Sequence, residues 1–130
     1  MLSLSQLVLV LAATTSNILV QGAPTPTPAT NEPRGASYDG ELTYYAPGLG
    51  ACGWINADSE AVVAVSPSQY DGACGKTITI RTKDGSKTAH AKVVDKCPGC
   101  ASGTIDVSSS VFETLADLSV GRTKVSWSFD

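Results

Sequence analysis

The chain has 130 residues, with nine Lys plus Arg against twelve Asp plus Glu and a formal net charge of -3 at pH 7. Its cations form no block or stripe, which argues against nucleic acid and anionic membrane as partners. No apolar run is long and unbroken enough to span a bilayer comfortably.

Residues 1–22 carry no Lys, Arg, Asp or Glu, and their apolar stretch "LVLVLAATTSNILV" is interrupted by Thr, Ser and Asn. This segment reads as a secretory signal peptide. Val20 and Gly22 place small residues ahead of a cut before Ala23, while Pro24 disfavours a cut one residue later. Residues 23–37 hold "APTPTPATNEPRG", a Pro/Thr tract that cannot assemble a core and is expected to be a disordered, extended tether. Its threonines are candidate acceptors for O-linked sugars. No N-x-[ST] acceptor occurs, so no N-linked glycan is expected. What remains is one small domain over 38–130. A domain this small buries a modest core, and in an oxidising compartment the four cysteines would brace it.

Inside the domain, "ELTYY", "AVVAV", "KTITIRT", "KTAHAKVV", "TIDV" and "KVSWSF" recur between Gly, Pro and Asp punctuation, the spacing of a small closed or sandwiched β fold. Asp84-Gly85 between two of these runs signals a hairpin. In the last run Val125, Trp127 and Phe129 alternate with Lys124, Ser126 and Ser128, which makes Trp127 a packing residue. Two short helices are expected. "SPSQY" offers Ser66 as N-cap and Pro67 at the first helical position. "SSSVFETLADL" has Ser110 and Glu113 at capping-box spacing, with Val111, Leu115 and Leu118 on one face and Phe112 packing beside them.

"VVDKCPGC" puts Cys97 and Cys100 after a strand. A redox pair would sit at the start of a helix in a βαβ setting, and no helix pattern follows directly. Zinc would need two more ligands, and Cys52, Cys74 and His90 supply no second paired spacing; no metal is expected. A structural disulfide fits best. Four cysteines allow three pairings and the sequence does not choose; the preferred one joins Cys97 to Cys100 across a Pro-Gly turn and Cys52 to Cys74. Asp95 and Asp106 flank that turn, either as an acid/base pair or sugar-binding patch, or as turn caps holding backbone N–H groups. Lys96 reads either as a neutralising partner of one of these acids or as an ordinary solvated lysine. In "TYYAPGLGACGW", Thr43, Tyr44, Tyr45 and Trp54 surround a Gly/Pro loop. Aromatic faces beside hydroxyls and carboxylates are what polysaccharide chains stack on. At least one of Tyr44 and Tyr45 must point inward. His90, mid-strand between Ala89 and Ala91, is expected to be a solvent-facing or hydrogen-bond-satisfied histidine and not a catalytic one.

Taken together, "YYAPGLGACGW", "ACGKTITI", "VVDKCPGC" and "TIDVSSSVFETLAD" resemble the double-psi β-barrel domain of the RlpA, barwin and expansin superfamily, and most closely its small secreted fungal members, the loosenin-like proteins. The resemblance covers 38–130. It implies a mainly β fold, a six-stranded double-psi β-barrel with one or two short helices and disulfide staples. It also implies a groove that binds cell-wall polysaccharide, cellulose or chitin, and loosens it without hydrolysis. By motif, Thr43 and Tyr45 would line one side and Asp95 and Pro98 the floor, with Asp106 matching the general acid of related inverting endoglucanases. Those enzymes carry a base aspartate where this chain has Ala46. An inverting glycosidase needs both carboxylates, so little hydrolysis is expected. The family's second, carbohydrate-binding domain has no counterpart before Asp130, so weak binding is expected. Six-cysteine barwin relatives pair the residue matching Cys97 elsewhere.

Two other readings stand beside this one. Relatives with the same four cysteines resemble secreted inhibitors of papain-type cysteine proteases, in which loops around "PGLGACGW" and "CPGCASG" would plug the protease cleft. A weak lytic enzyme would instead release soluble sugars. Some relatives are labelled riboflavin-aldehyde-forming enzymes, but the chain has no flavin or nucleotide fingerprint and no cofactor is expected. A secreted monomer is the expectation under each reading.

Overall fold

The structure, a computed structural model, describes residues 36–130; the expected leader and residues 23–35 of the tether lie outside the described residues. Six strands, β1 (Tyr38–Tyr45), β2 (Val62–Val65), β3 (Thr77–Thr82), β4 (Thr88–Lys96), β5 (Ile105–Ser108) and β6 (Thr123–Phe129), close into a barrel in the order β1-β5-β2-β4-β3-β6. The pairs β1·β5 and β2·β4 are parallel and the other four antiparallel. Helices α1 (Pro67–Tyr70) and α2 (Ser109–Leu115) and a 3-10 turn over Leu118–Val120 sit between strands.

Each expected run is a strand, and pairing explains where the bounds differ. β1 begins ahead of "ELTYY" because Tyr38, Asp39 and Gly40 pair with Trp127, Ser126 and Val125 of β6. β4 runs on to Lys96 because Ala64 and Val65 of β2 pair with Asp95 and Lys96. The interior is filled by alternate residues, among them Leu42, Val63, Val65, Ile80, Val107 and Val125. Trp127 is fully buried, with its ring centroid 4.6 Å from that of Tyr38 and 5.2 Å from that of Phe129. Its indole N–H donates to the Gly103 carbonyl at 2.7 Å, which satisfies the one polar atom the ring brings into the core.

That carbonyl belongs to a close crossing of backbone on backbone. A Cβ on Gly40 would overlap the Gly103 carbonyl, and a Cβ on Gly103, whose φ is +86°, would overlap the Asp39 carbonyl. Only two glycines let β1 and the loop before β5 approach this closely. The β3–β4 hairpin turns at Asp84-Gly85 as expected. Gly85 has φ +76°, and Asp84 Oδ1 accepts from the Ser86 N–H, the Ser86 hydroxyl and the Thr82 hydroxyl.

The helix ends depart from expectation. Ser66 occupies the N-cap position before Pro67, but its hydroxyl donates to Gln69 Oε1 instead of accepting a backbone N–H. The Ser110–Glu113 capping box does not form, because α2 begins at Ser109 and the cap comes from another part of the chain. Asp58 Oδ1 accepts the Ser109 N–H at 2.9 Å and its other oxygen takes the Ser109 hydroxyl, while Ser110 Oγ is drawn to the Glu60 carbonyl. Val111, Phe112 and Leu115 are buried as expected, but Leu118 lies beyond the helix in the 3-10 turn, partly buried against the core.

Candidate functional site

Strand registers assemble the site. On β1, Thr43 and Tyr45 alternate with Leu42, which is in the core, and so face outward. Thr43 pairs in parallel register with Asp106 of β5, Asp106 pairs with Ala64 of β2, and Ala64 pairs with Asp95 of β4. Four neighbouring strands thus lay Thr43, Asp106, Ala64 and Asp95 in one row, with a methyl group between two carboxylates. A register shift between Val63 and Ala64 aligns it. The Thr43 hydroxyl donates to Asp106 Oδ1 at 3.0 Å, and the Tyr45 hydroxyl donates to Asp95 Oδ2 at 3.2 Å.

The two carboxylates differ in how they are occupied. Asp95 Oδ1 accepts the Ala51 N–H at 2.7 Å and the Lys96 N–H at 2.8 Å, and Oδ2 accepts from Tyr45, so both oxygens are engaged by the protein. Asp106 has Thr43 alone as hydrogen-bond donor, is half-buried, and faces a cleft of about 540 Å³. Burial pushes its carboxyl above the usual aspartate range and the Asp95 charge adds to this; the Thr43 hydrogen bond and the Arg122 charge oppose it. The Tyr45 phenol is pushed well above its ordinary value, first by burial, then by the charge and hydrogen bond of Asp95.

Beside Asp106 the cleft is lined by Glu41, Arg122, Thr104 and the Cys97–Cys100 turn. The disulfides join Cys97 to Cys100 and Cys52 to Cys74, the preferred pairing. The Cys97 N–H donates to the Val65 carbonyl at 2.8 Å, so the turn is hung on the end of β2, with Pro98 exposed on it. Arg122 pairs with Glu41, as does Lys124 at 3.4 Å, and the Glu41 carboxyl is held below its usual range chiefly by Arg122. Sequence reasoning missed Ala64, Glu41 and Arg122. None of the three stands in a local pattern that marks it.

The structure does not bring Tyr44 or Trp54 into this row. Tyr44 turns to the opposite face of β1, where its ring lies 4.8 Å from that of Phe112 and its hydroxyl donates to the Leu118 carbonyl, yet it stays 37% exposed while Tyr45 is partly buried, so neither tyrosine enters the core. Trp54 lies against Gly75, with the Lys92 ammonium 4.6 Å from its ring centroid. The Lys96 ammonium extends over the Tyr70 ring and forms no salt bridge with either acid; only the Lys96 backbone N–H reaches Asp95. His90 is exposed, with Nδ1 3.1 Å from the Thr79 hydroxyl. Among the described residues no group of three or more His, Cys, Asp or Glu is placed to hold a metal ion.

No family model matches the chain. It is 42% identical over 105 residues to allergen Asp f 7 of Aspergillus fumigatus, covering 75% of this chain and 38% of that protein, so it spans well under half that relative's length. It is 32% identical over 106 residues to the papain inhibitor of Streptomyces mobaraensis, covering 75% of this chain and 74% of the inhibitor. The solved Streptomyces papain inhibitor superposes with a TM-score of 0.66 at 30% identity, covering 75% of this chain and 96% of that one. A mutant expansin of Clavibacter michiganensis in complex with cellohexaose superposes with a TM-score of 0.65 at 27% identity, covering 73% of this chain and 50% of the expansin. With the closed six-stranded barrel and the cysteine-braced rim, these similarities place the chain in the RlpA-like double-psi β-barrel superfamily, to which the expansins and the Streptomyces papain inhibitor also belong.

Proposed function

We propose that this is a secreted, loosenin-like protein that binds cell-wall polysaccharide, cellulose or chitin, in the groove of Thr43, Tyr45, Asp95 and Asp106 and loosens it without cutting it. The observation that carries this reading is the unequal state of the two carboxylates. Asp106 opens on the cleft, able to accept hydrogen bonds from sugar hydroxyls, whereas Asp95 is spent on backbone N–H groups and Tyr45. With Asp95 tied up, Glu41 paired to Arg122 and Lys124, and Ala46 where hydrolytic relatives carry a base, no second acid among the described residues of the groove is free to activate water. The expansin solved with cellohexaose supports a glucan ligand for this barrel. Two disulfides support an oxidising, extracellular site of action. The test is a pull-down on insoluble cellulose and chitin with sugar release measured in parallel. The protein is expected to bind at least one polymer and release no soluble sugar, with Asp106→Asn weakening binding by roughly tenfold, since a charged acceptor is replaced by a neutral amide. Fragment release, or undiminished binding by Asp106→Asn, would overturn the reading.

A second reading has its own observation. The papain inhibitor of Streptomyces mobaraensis aligns over three quarters of both chains, and its fold is shared almost end to end. Inhibition of a papain-type cysteine protease would use a protein-binding surface and not the groove carboxylates.

A further inference from the structure

Leu49 and Ile55 are 74% and 79% exposed, the most open of the large apolar side chains among the described residues. They form an isolated antiparallel bridge, flanked by Gly50 N–H to Trp54 carbonyl at 2.9 Å and Asn56 N–H to Gly48 carbonyl at 3.0 Å. Those bonds make Leu49 and Ile55 a directly opposed, non-hydrogen-bonded pair, so the two side chains stand next to each other on one face of a miniature hairpin. The hairpin is anchored from behind. Trp54, next to Ile55, turns the other way onto Gly75 and Lys92; Cys52 is bonded to Cys74; Asp95 holds the Ala51 N–H; and the Cys52 N–H donates to the Val94 carbonyl. Residues 46–56 include no charged side chain.

Two aliphatic side chains held up on a braced, uncharged tip belong to the desolvated centre of a protein interface. They do not suit a glycan, which stacks on aromatic rings. Nor do they suit self-association: a tip of this size offers a few hundred Å² at most, short of the roughly 800 Å² per partner of a stable pairing. A small convex apolar tip needs a concave apolar partner. We propose that the Leu49–Ile55 hairpin is a preformed wedge that seats in the substrate cleft of a papain-type cysteine protease. This rests on the inhibitor reading above and assigns it to two aliphatic side chains in place of the groove carboxylates.

The experiment titrates papain with the parent protein, with the double variant Leu49→Ser/Ile55→Ser, and with Val120→Ser, which removes an exposed apolar side chain from the 3-10 turn. Expected are competitive inhibition by the parent, a rise of roughly a hundredfold or more in the inhibition constant for the double variant, and parent-like inhibition by Val120→Ser. Should the double variant lose the parent's thermal transition, Leu49→Ser alone is read in its place, with a rise of about tenfold or more expected. Parent-strength inhibition by a folded tip variant overturns the wedge and leaves the inhibitor reading intact. No inhibition by the parent overturns both. A concentration-dependent dimer abolished by the tip variant, or loss of polysaccharide binding in place of inhibition, assigns the tip another occupant and also overturns the proposal.

Discussion

Asp106 carries a pKa raised by burial, and the sign of its effect on stability follows from that. The folded state binds this proton more tightly than the unfolded chain does. The stability it contributes is therefore fully present below the ordinary value of 3.8 and is lost as pH rises through the elevated folded value. Asp106→Asn is expected to unfold later than the parent in urea at pH 7, with the difference vanishing toward pH 3; a variant less stable at pH 7 would show that the Thr43 contact outweighs burial. Asp95 does structural work, since its hydrogen bonds bind the loop after β1 to the end of β4. Asp95→Ala strands the Ala51 and Lys96 N–H groups and is expected to cost about 2 kcal/mol in denaturant unfolding, whereas Asp95→Asn keeps an acceptor and is expected to recover most of it. The alternation rule showed which tyrosine faces out only after β1 was anchored by Leu42. A period of two names the face a residue takes and says nothing of its partner across the sheet. Thr43 and Asp106 were accordingly legible as separate candidates, but their meeting through a parallel pairing was not, and Ala64 between the acids gave no hint at all.

Short-range punctuation carried the elements well: every strand run, the Asp84-Gly85 hairpin and the Pro67 helix start were readable from a few adjacent residues. Long-range contacts supplied what was missed, as in α2, whose local Ser/Glu spacing lost to a cap donated by Asp58 from the connection between β1 and β2. The Cys52–Cys74 bond, with a sequence separation of 22, closes a loop long enough that its removal by a double Cys→Ala variant is expected to cost about 3 kcal/mol. Cys97–Cys100, with a separation of 3, restrains little of the unfolded chain, and its removal is expected to loosen the cleft wall with a smaller fall in thermal midpoint. The Gly40–Gly103 crossing is less forgiving. Gly103→Ala combines a left-handed backbone with overlap on the Asp39 carbonyl and is expected to destabilise by about 3 kcal/mol or more, checked by the midpoint of thermal unfolding.

Over the whole barrel, partners lie far apart in sequence, since β1 near the start of the domain pairs with both β5 and β6 near its end. A topology so dominated by non-local pairing is expected to fold on a millisecond-to-second timescale, measurable by stopped-flow fluorescence of its tryptophans. Folding within microseconds would contradict it. The fold class was within reach of the motifs, because four of them in one order mark the superfamily; the six-strand order was not, since nothing local tells a crossover from a hairpin. The sealed circumference also limits how this molecule meets a surface. With each strand flanked by two others, no main-chain seam is left open for a foreign strand to zip onto. Among the described residues the barrel wall then grips through protruding side groups, which lets new preferences arise by swapping a few rim residues while the cylinder beneath stays the same.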